Sequence, residues 1–479
     1  MRNNLLFSCC YLLLTCTSLL AQNSIKPVAD NPAAVIATLQ KDLPVWMKQS
    51  NVPGLTVAYI HKGKLTWTQQ FGVLNADTKQ PVTATTIFEA ASLTKVVTAY
   101  AVLKLVDEGK LNLDTPLNKY LGNNYDVVND DRINLITARR VLSHSSGFPN
   151  WRAEGATSLP ISFAPGEKFS YSGEGFVYLS KVAERITNMP FDDYVKKVVF
   201  EPLQMEHSYM VWSGNLDSVC IYRHDWFGSN PFQAKYPGIN AAASLRTTAT
   251  DYAKFIMALL NGTGLKKTTW QQFVTPQIRV NEKYPEVAWG LGVGLETTPA
   301  GTSFWHWGDQ GNAKCYMAAN LKQKDAVVYF TNARNGLAFA REIVQASIGG
   351  NHPGLDWLNY DRYNPVFSGF LQRAIDKGGV AAVQQFKQER SQHNTVTLTE
   401  SNINSIGYLL LQLKKVDDAI AVFEQNTADY PNSANAWDSL AEGYMIKGNK
   451  ELAIQYYEKS LQLNPDNTNA VEQLKKLKA

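Results

Sequence analysis

Apolar positions change their period along this 479-residue chain, and the change separates two regions. Up to about residue 350 the pattern is mixed. A helix is predicted from about Ala33 to Gln49, followed by a hairpin whose strands, Leu55 to Ile60 and Leu65 to Phe71, are joined by His61-Lys62-Gly63-Lys64. Strand-like segments return at Trp289 to Gly294, Phe304 to Trp307, Tyr316 to Leu321 and Ala326 to Thr331, before a helix from about Leu337 to Ser347. The run Val96 to Val106 is mostly apolar and free of Gly and Pro, which suits a helix buried on most sides.

Beyond Pro365 the period is helical and repeats. Ala419-Ile420-x-x-Phe423 with Pro431 returns as Ala453-Ile454-x-x-Tyr457 with Pro465, a spacing of 34 residues, which is the tetratricopeptide period. Trp437-x-x-Leu440-Ala441-x-x-Tyr444 matches the first helix of that repeat, and Ile403-x-x-Ile406-Gly407-x-x-Leu410 sits one period earlier. Small residues at 407, 419, 441 and 453 stand where paired helices must approach closely. Two repeats leave an apolar face uncovered, so Phe370 to Glu389 is read as a degenerate earlier repeat and Asn469 to Leu477 as a closing helix. The expected division is a signal peptide over 1–21, a catalytic domain over 32–350, a linker over 351–366 and an all-α tetratricopeptide array over 367–479. Whether the array grips a partner protein or braces the first domain is open.

Candidate chemistry begins at Ser92-Leu93-Thr94-Lys95. Residues three apart share a helix face, so the Ser92 hydroxyl and the Lys95 amine can meet, at a helix start that favours a developing anion. A Ser-x-x-Lys match is weak alone, but three further segments accompany it. Ala164-Pro165-Gly166 precedes Tyr171-Ser172-Gly173, the Ser-rich loop Leu142 to Pro149 carries His144, and His306-Trp307-Gly308-Asp309-Gln310-Gly311 follows a strand-like run. No His-Glu-x-x-His, Gly-x-Ser-x-Gly, phosphate-binding glycine loop or Cys-x-x-Cys competes with them. The seven histidines are scattered singly, so neither a metal nor another cofactor is called for.

In their order these segments resemble the serine β-lactamase and penicillin-binding-protein superfamily, in its class C, D-Ala-D-Ala carboxypeptidase and esterase-like branch, from about Pro32 to Gly350. The resemblance implies an α/β hydrolase domain of the β-lactamase/transpeptidase-like type. In it, N- and C-terminal strands share one antiparallel sheet, a helical region from about Ser92 to Leu260 lies beside it, and the active site is at their junction. It also implies Ser92 as nucleophile, Lys95 and Tyr171 as the proton-handling pair, and His306 at the third motif. The backbone N–H groups of Ser92 and Asp309 would form the oxyanion hole, and Trp307 and Gly308 would border the substrate.

Which of Lys95 and Tyr171 holds the proton stays open. A phenolate at Tyr171 requires lowering a pKa of ~10 by about three units, roughly 4 kcal/mol, which Lys95 and a protonated His306 would have to supply. Losing an oxyanion donor costs about 3 kcal/mol, so Gly308→Val is expected to harm turnover far more than stability. Gly173 replaces the family's Asn, the amide that holds an antibiotic's acyl chain. A secreted serine hydrolase or acyltransferase acting on a small ester, amide or D-amino-acid peptide is therefore expected, with a slow penicillin-recognising protein or β-lactamase as the alternative. His144 is expected to be structural and Glu174 to face water. Trp289, Trp305 and Phe148 are expected in the core, with Asp309 and Gln310 edging the pocket.

Composition adds little. A hydrophobic fraction of 45% and a net charge of +4 describe a globular chain with no basicity that implies nucleic acid. Met1-Arg2-Asn3-Asn4, the apolar Leu5 to Leu20 and a small residue at Ala21 read as a secretory signal, which points to the periplasm. A retained anchor, or a lipoprotein signal at Cys16, is the alternative. Cys220 and Cys315 would remain after cleavage.

Overall fold

The computed structural model describes residues 31–360, 364–393 and 397–478; the expected signal peptide lies outside them. Helix α1 (Pro32–Gln49) opens the first domain, with Asn31 accepting from the free N–H groups of Ala33 and Ala34. The hairpin forms as β1 (Gly54–His61) and β2 (Lys64–Gly72), and β3 (Phe88–Glu89) pairs β4 (Arg246–Thr247). The remaining strands are β5 (Ile278–Arg279), β6 (Val287–Trp289), β7 (Gly294–Thr298), β8 (Gly301–Asp309), β9 (Lys314–Asn320) and β10 (Asp325–Thr331).

One eight-stranded sheet runs in the order β2-β1-β10-β9-β8-β7-β6-β5, with antiparallel neighbours throughout. The β1–β10 pairing, with Val57 opposite Tyr329, joins the two ends of the domain. The central strands are buried on both faces, which is why they read as nearly unbroken apolar runs. Alternate residues sort to two cores. Met317, Val328 and Phe330 face the core that holds helix α2 (Thr94–Asp107), whereas Tyr316, Val327 and Tyr329 face α1 and the helix Ala340–Ile348.

Among the described residues seven helices follow from Pro365, in three antiparallel pairs with Thr468–Lys478 as a closing helix. A Cβ on Gly407 would lie 2.2 Å from the Phe423 ring, and Ala419, Ala441 and Ala453 are fully buried, so the small residues do mark helix contacts. The segment 351–366, expected as a linker, differs from that reading. It holds the helix Pro353–Leu358, whose Leu355 and Trp357 pack on the α1-side core, and Pro365 already opens the first array helix. His352 and the Gly354 N–H both bind the buried Glu296 carboxylate, at 2.6 and 3.0 Å, which ties that helix to β7. The array also packs directly on the first domain, because Trp226 and Phe227 are seated against its core.

Candidate active site

Ser92 sits in a single 3₁₀ turn, Ala91–Leu93, that runs into α2. Ala91 adopts a left-handed φ of +45°, a strained elbow for a residue with a Cβ, and it turns the next side chain out of the helix. Two neighbours hold the turn. From one side Thr94 accepts from Leu245 N at 3.0 Å and donates to Ala91 O, while Thr98 donates to Ala241 O at 2.7 Å. From the other, β8 lies so close that a Cβ on Gly308 would meet Cys315 Sγ at 2.3 Å and Ala90 O at 2.7 Å.

Lys95 is fully buried; its Nζ donates to Ser92 Oγ at 3.1 Å and to Ala242 O at 3.0 Å. The amine also lies 4.7 Å from the Tyr171 ring centroid. Burial in this site lowers its pKa to about 7, and among the described residues no carboxylate pairs with the ammonium to oppose this. The Tyr171 hydroxyl is likewise buried and closes no hydrogen bond of normal geometry among the described residues. Burial pushes its pKa upward, and the proximity of Ser92 only partly opposes this.

His306 lies behind Tyr171, with ring centroids 6.2 Å apart, and does not reach the pocket surface. Its Nδ1 donates to Trp307 O at 2.7 Å, which leaves Nε2 as an unpartnered lone pair among the described residues. Burial and the charge of Lys95 lower its pKa to about 3, so the ring is neutral. The protonated His306 that a Tyr171 phenolate requires is therefore not present. His144 stacks on Tyr171 at 4.2 Å and accepts from Ser172 N at 3.0 Å through Nδ1. It too is held neutral, first by burial and then by Lys95.

Around Ser92 opens a cavity of about 690 Å³. Tyr171, Trp307 and Asp309 line it, together with residues that carry no motif: Asn150, Trp151, Tyr236 and Tyr360. Trp151 and Tyr236 are 45% and 54% exposed and form an aromatic rim. The β7 pairing of β8 stops at Trp305, which leaves the edge from His306 to Asp309 facing away from any neighbouring strand on that side.

A family model described as "Beta-lactamase" matches residues 34–348, a span that contains every one of these catalytic candidates. The chain belongs to the beta-lactamase family. A tetratricopeptide-repeat model also matches, over residues 434–467. Protein flp of Staphylococcus aureus (strain N315) is 25% identical over 361 residues, 70% of this chain and 69% of that protein. Esterase EstB of Burkholderia gladioli is 28% identical over 200 residues, 36% of this chain and 51% of the esterase. The fold is shared with a penicillin-binding protein homologue from Pyrococcus abyssi (TM-score 0.57, 23% identity, 71% of this chain and 81% of that one). It is shared equally with a class C beta-lactamase (TM-score 0.58, 19% identity, 66% and 97%).

Within this beta-lactamase-family site several expectations change. Gly308 serves the packing of β8 on the serine turn, so its replacement would disturb stability as well as turnover. Gly173 makes room for a neighbour rather than simply lacking an amide: a Cβ there would lie 2.5 Å from the Trp151 ring, and Asn150 Oδ1 accepts its N–H at 3.0 Å. Glu174 is buried and paired with Arg152 at 2.9 Å instead of facing water. The Asp309 carboxylate is occupied by Lys314, by the Tyr360 hydroxyl at 2.7 Å and by Gly311 N at 2.8 Å, so it presents no free charge to a substrate. Burial pushes its pKa up, but these partners outweigh it and hold it below the usual range. Trp289, Trp305 and Phe148 are core residues, and Cys220 and Cys315 are both buried free thiols. Asn150, Trp151, Tyr236 and Tyr360 escaped the sequence reading because each lies in an aperiodic segment. Pro149 before Asn150 and Pro237-Gly238 after Tyr236 were the turn signals among them.

Proposed function

We propose that the first domain is a serine hydrolase that forms an acyl-enzyme on Ser92, with ester hydrolysis as its favoured reaction. One observation carries the reading: an amine with a pKa near 7 donates to the Ser92 hydroxyl at 3.1 Å, inside a 690 Å³ pocket. Lys95 in its neutral form takes the Ser92 proton as Oγ bonds to the substrate carbonyl. The resulting oxyanion sits at the start of α2, by the backbone N–H of Ser92 and the open edge of β8 that ends at Asp309. Collapse of that intermediate breaks the bond to the leaving oxygen. Tyr171, a neutral phenol, passes it a proton and is recharged from the Lys95 ammonium. Water then repeats the sequence, giving its proton to Lys95, and an alcohol or amine in place of water would make the same site an acyltransferase.

Three features favour esters over antibiotics. Gly173 carries no amide, the imidazole of His306 is neutral and withdrawn from the pocket, and one relative bears the name of an esterase. D-amino-acid peptides and simple amides remain within the same chemistry. We propose further that the chain is secreted through its apolar leader and that its repeats hold a protein partner. Intact-mass spectrometry after exposure to a panel of esters, D-Ala-D-Ala peptides and β-lactams tests the catalytic reading. An ester-derived adduct that is lost in Ser92→Ala is expected. A stable adduct with β-lactams alone would favour the penicillin-recognising alternative.

A further inference from the structure

A second cavity, of about 790 Å³, lies where the array helices Pro365–Lys377 and Glu400–Gln412 face the first domain. Of its lining residues, it shares Asp309 and Tyr360 with the catalytic cavity, so these two stand between the chambers. Tyr360 is delivered by the segment that joins the domains. It is latched by donating to Asp309 at 2.7 Å and accepting from Trp307 Nε1 at 3.1 Å, and the Lys314 ammonium lies 5.6 Å from its ring.

The chemistry of the second chamber is specific. Side-chain amides converge there from both domains, among them Asn51, Asn335, Asn402 and Gln412. Asn51 and Asn335 already donate to Trp226 O, and Asn402 is tied into a helix cap. The Gln412 side chain and Asn335 Oδ1 have no hydrogen-bond partner among the described residues, and a peptide backbone would supply one where an alkyl chain would not. The charge of Lys314 is consumed by Asp309. Arg334 is exposed, stacks on Trp226 at 5.1 Å, and has no carboxylate within ion-pair distance among the described residues. A guanidinium placed beside an aromatic ring and free of an acidic partner suits a carboxylate.

From this arrangement we infer that Tyr360 is a specificity-determining residue: its ring partitions the catalytic pocket from an amide-lined chamber that takes the distal part of a peptide-like acyl donor, whose anionic end is received by Arg334. The inference rests on the Ser92 acyl-enzyme reading and narrows it. It makes substrate choice depend on the repeat array, because half of the chamber wall belongs to the array.

The test uses the full chain and three p-nitrophenyl esters: acetate, an N-acetylated alanine tripeptide and its N-succinylated counterpart. Arg334→Gln should lower the preference for the succinylated over the acetylated tripeptide about tenfold, mainly through KM, the scale of one charge-assisted hydrogen bond. Tyr360→Ala should raise the kcat/KM ratio of tripeptide ester to acetate at least about fivefold. Tyr360→Phe, which keeps the ring and loses the latch, should shift the ratio the same way by less. A purely structural role would lower all three esters together. An independent arm measures binding of the free succinylated tripeptide to Ser92→Ala by calorimetry, where adding Arg334→Gln should weaken affinity about tenfold. Ratios constant within about twofold across the variants, or a peptide affinity indifferent to Arg334, would overturn the inference. If no ester is turned over yet binding still depends on Arg334, the acyl-enzyme reading falls and the peptide chamber stands.

Discussion

Lys95 concentrates the energetics of this site in one atom. Moving an amine from 10.5 to about 7 corresponds to about 5 kcal/mol of lost preference for its charged form, all of it arising from burial. The unfolded chain holds that proton up to pH 10.5, while the folded chain releases it near 7. Between these values the unfolded state binds more protons, so this group's contribution to stability rises with pH across the window and is lost as pH falls toward 7. Lys95→Met should therefore abolish turnover and, at pH 6, unfold at higher urea than the parent chain; a variant no more stable than the parent at pH 6 would mean a solvated ammonium. In the active chain, kcat/KM should climb along an acid limb with an apparent pKa near 7, since the deprotonated amine is the base. Tyr171→Phe separates catalysis from folding. Its hydroxyl closes no hydrogen bond of normal geometry among the described residues, so thermal stability should hold or rise, while kcat should drop about 100-fold or more.

The elements around Ser92 work as a clamp, with β8 on one side of the turn and the 240–245 segment on the other. Two glycines separate the clamp from the pocket. At Gly308 an added Cβ meets backbone at Ala90 and sulfur at Cys315, neither of which can move away. Gly308→Ala should thus lower the melting temperature and the acylation rate together, and adding Cys315→Ala should recover only part of each, since Ala90 O remains. At Gly173 the obstacle is Trp151, a half-exposed ring free to swing outward. Gly173→Ala should change KM while leaving the melting temperature within about 1 °C, as surface adjustments do. These contrasts also show what the chain discloses before it folds. Ser92 and Lys95 were legible because their contact is local, three residues apart across the start of α2, and the strands were legible from their dense apolar runs, whereas their antiparallel arrangement came from the family resemblance. Tyr171 and His306 needed family motifs, since nothing local joins positions 135 residues apart. Protonation states were not legible at all: the neutral His306 and the half-titrated Lys95 are products of burial, which a sequence does not state. Asn150, Trp151, Tyr236 and Tyr360 reach the pocket from turns with no period, so only the assembled fold reveals them.

At the scale of the whole molecule, the array is more than an appended module, because Trp226 and Phe227 of the first domain are packed against its core and Tyr360 joins both units. Its 34-residue spacing was readable because every repeat must bring two helices together at a small residue. Seating against the first domain was not, since Trp226 and Phe227 lie outside any repeat. The supports of Ser92, in contrast, all belong to the first domain: α2, β8 and the 240–245 segment share one apolar core, in which no array residue takes part. Damage confined to the array should therefore spare the nucleophile. Gly407→Val provides that damage, because even a Cβ at this position lies 2.2 Å from the Phe423 ring and the fully buried pair cannot part without opening the array core. Overpacking of this kind costs about 1–3 kcal/mol, which for a helical unit of this size lowers the melting temperature by about 5–10 °C. Calorimetry should show that shift in an array transition, while turnover of a short ester at 25 °C stays within about twofold of the parent. A fall in short-ester turnover that tracks the melting shift would place the serine turn and the repeats in one cooperative unit, with the array stabilising the catalytic clamp itself.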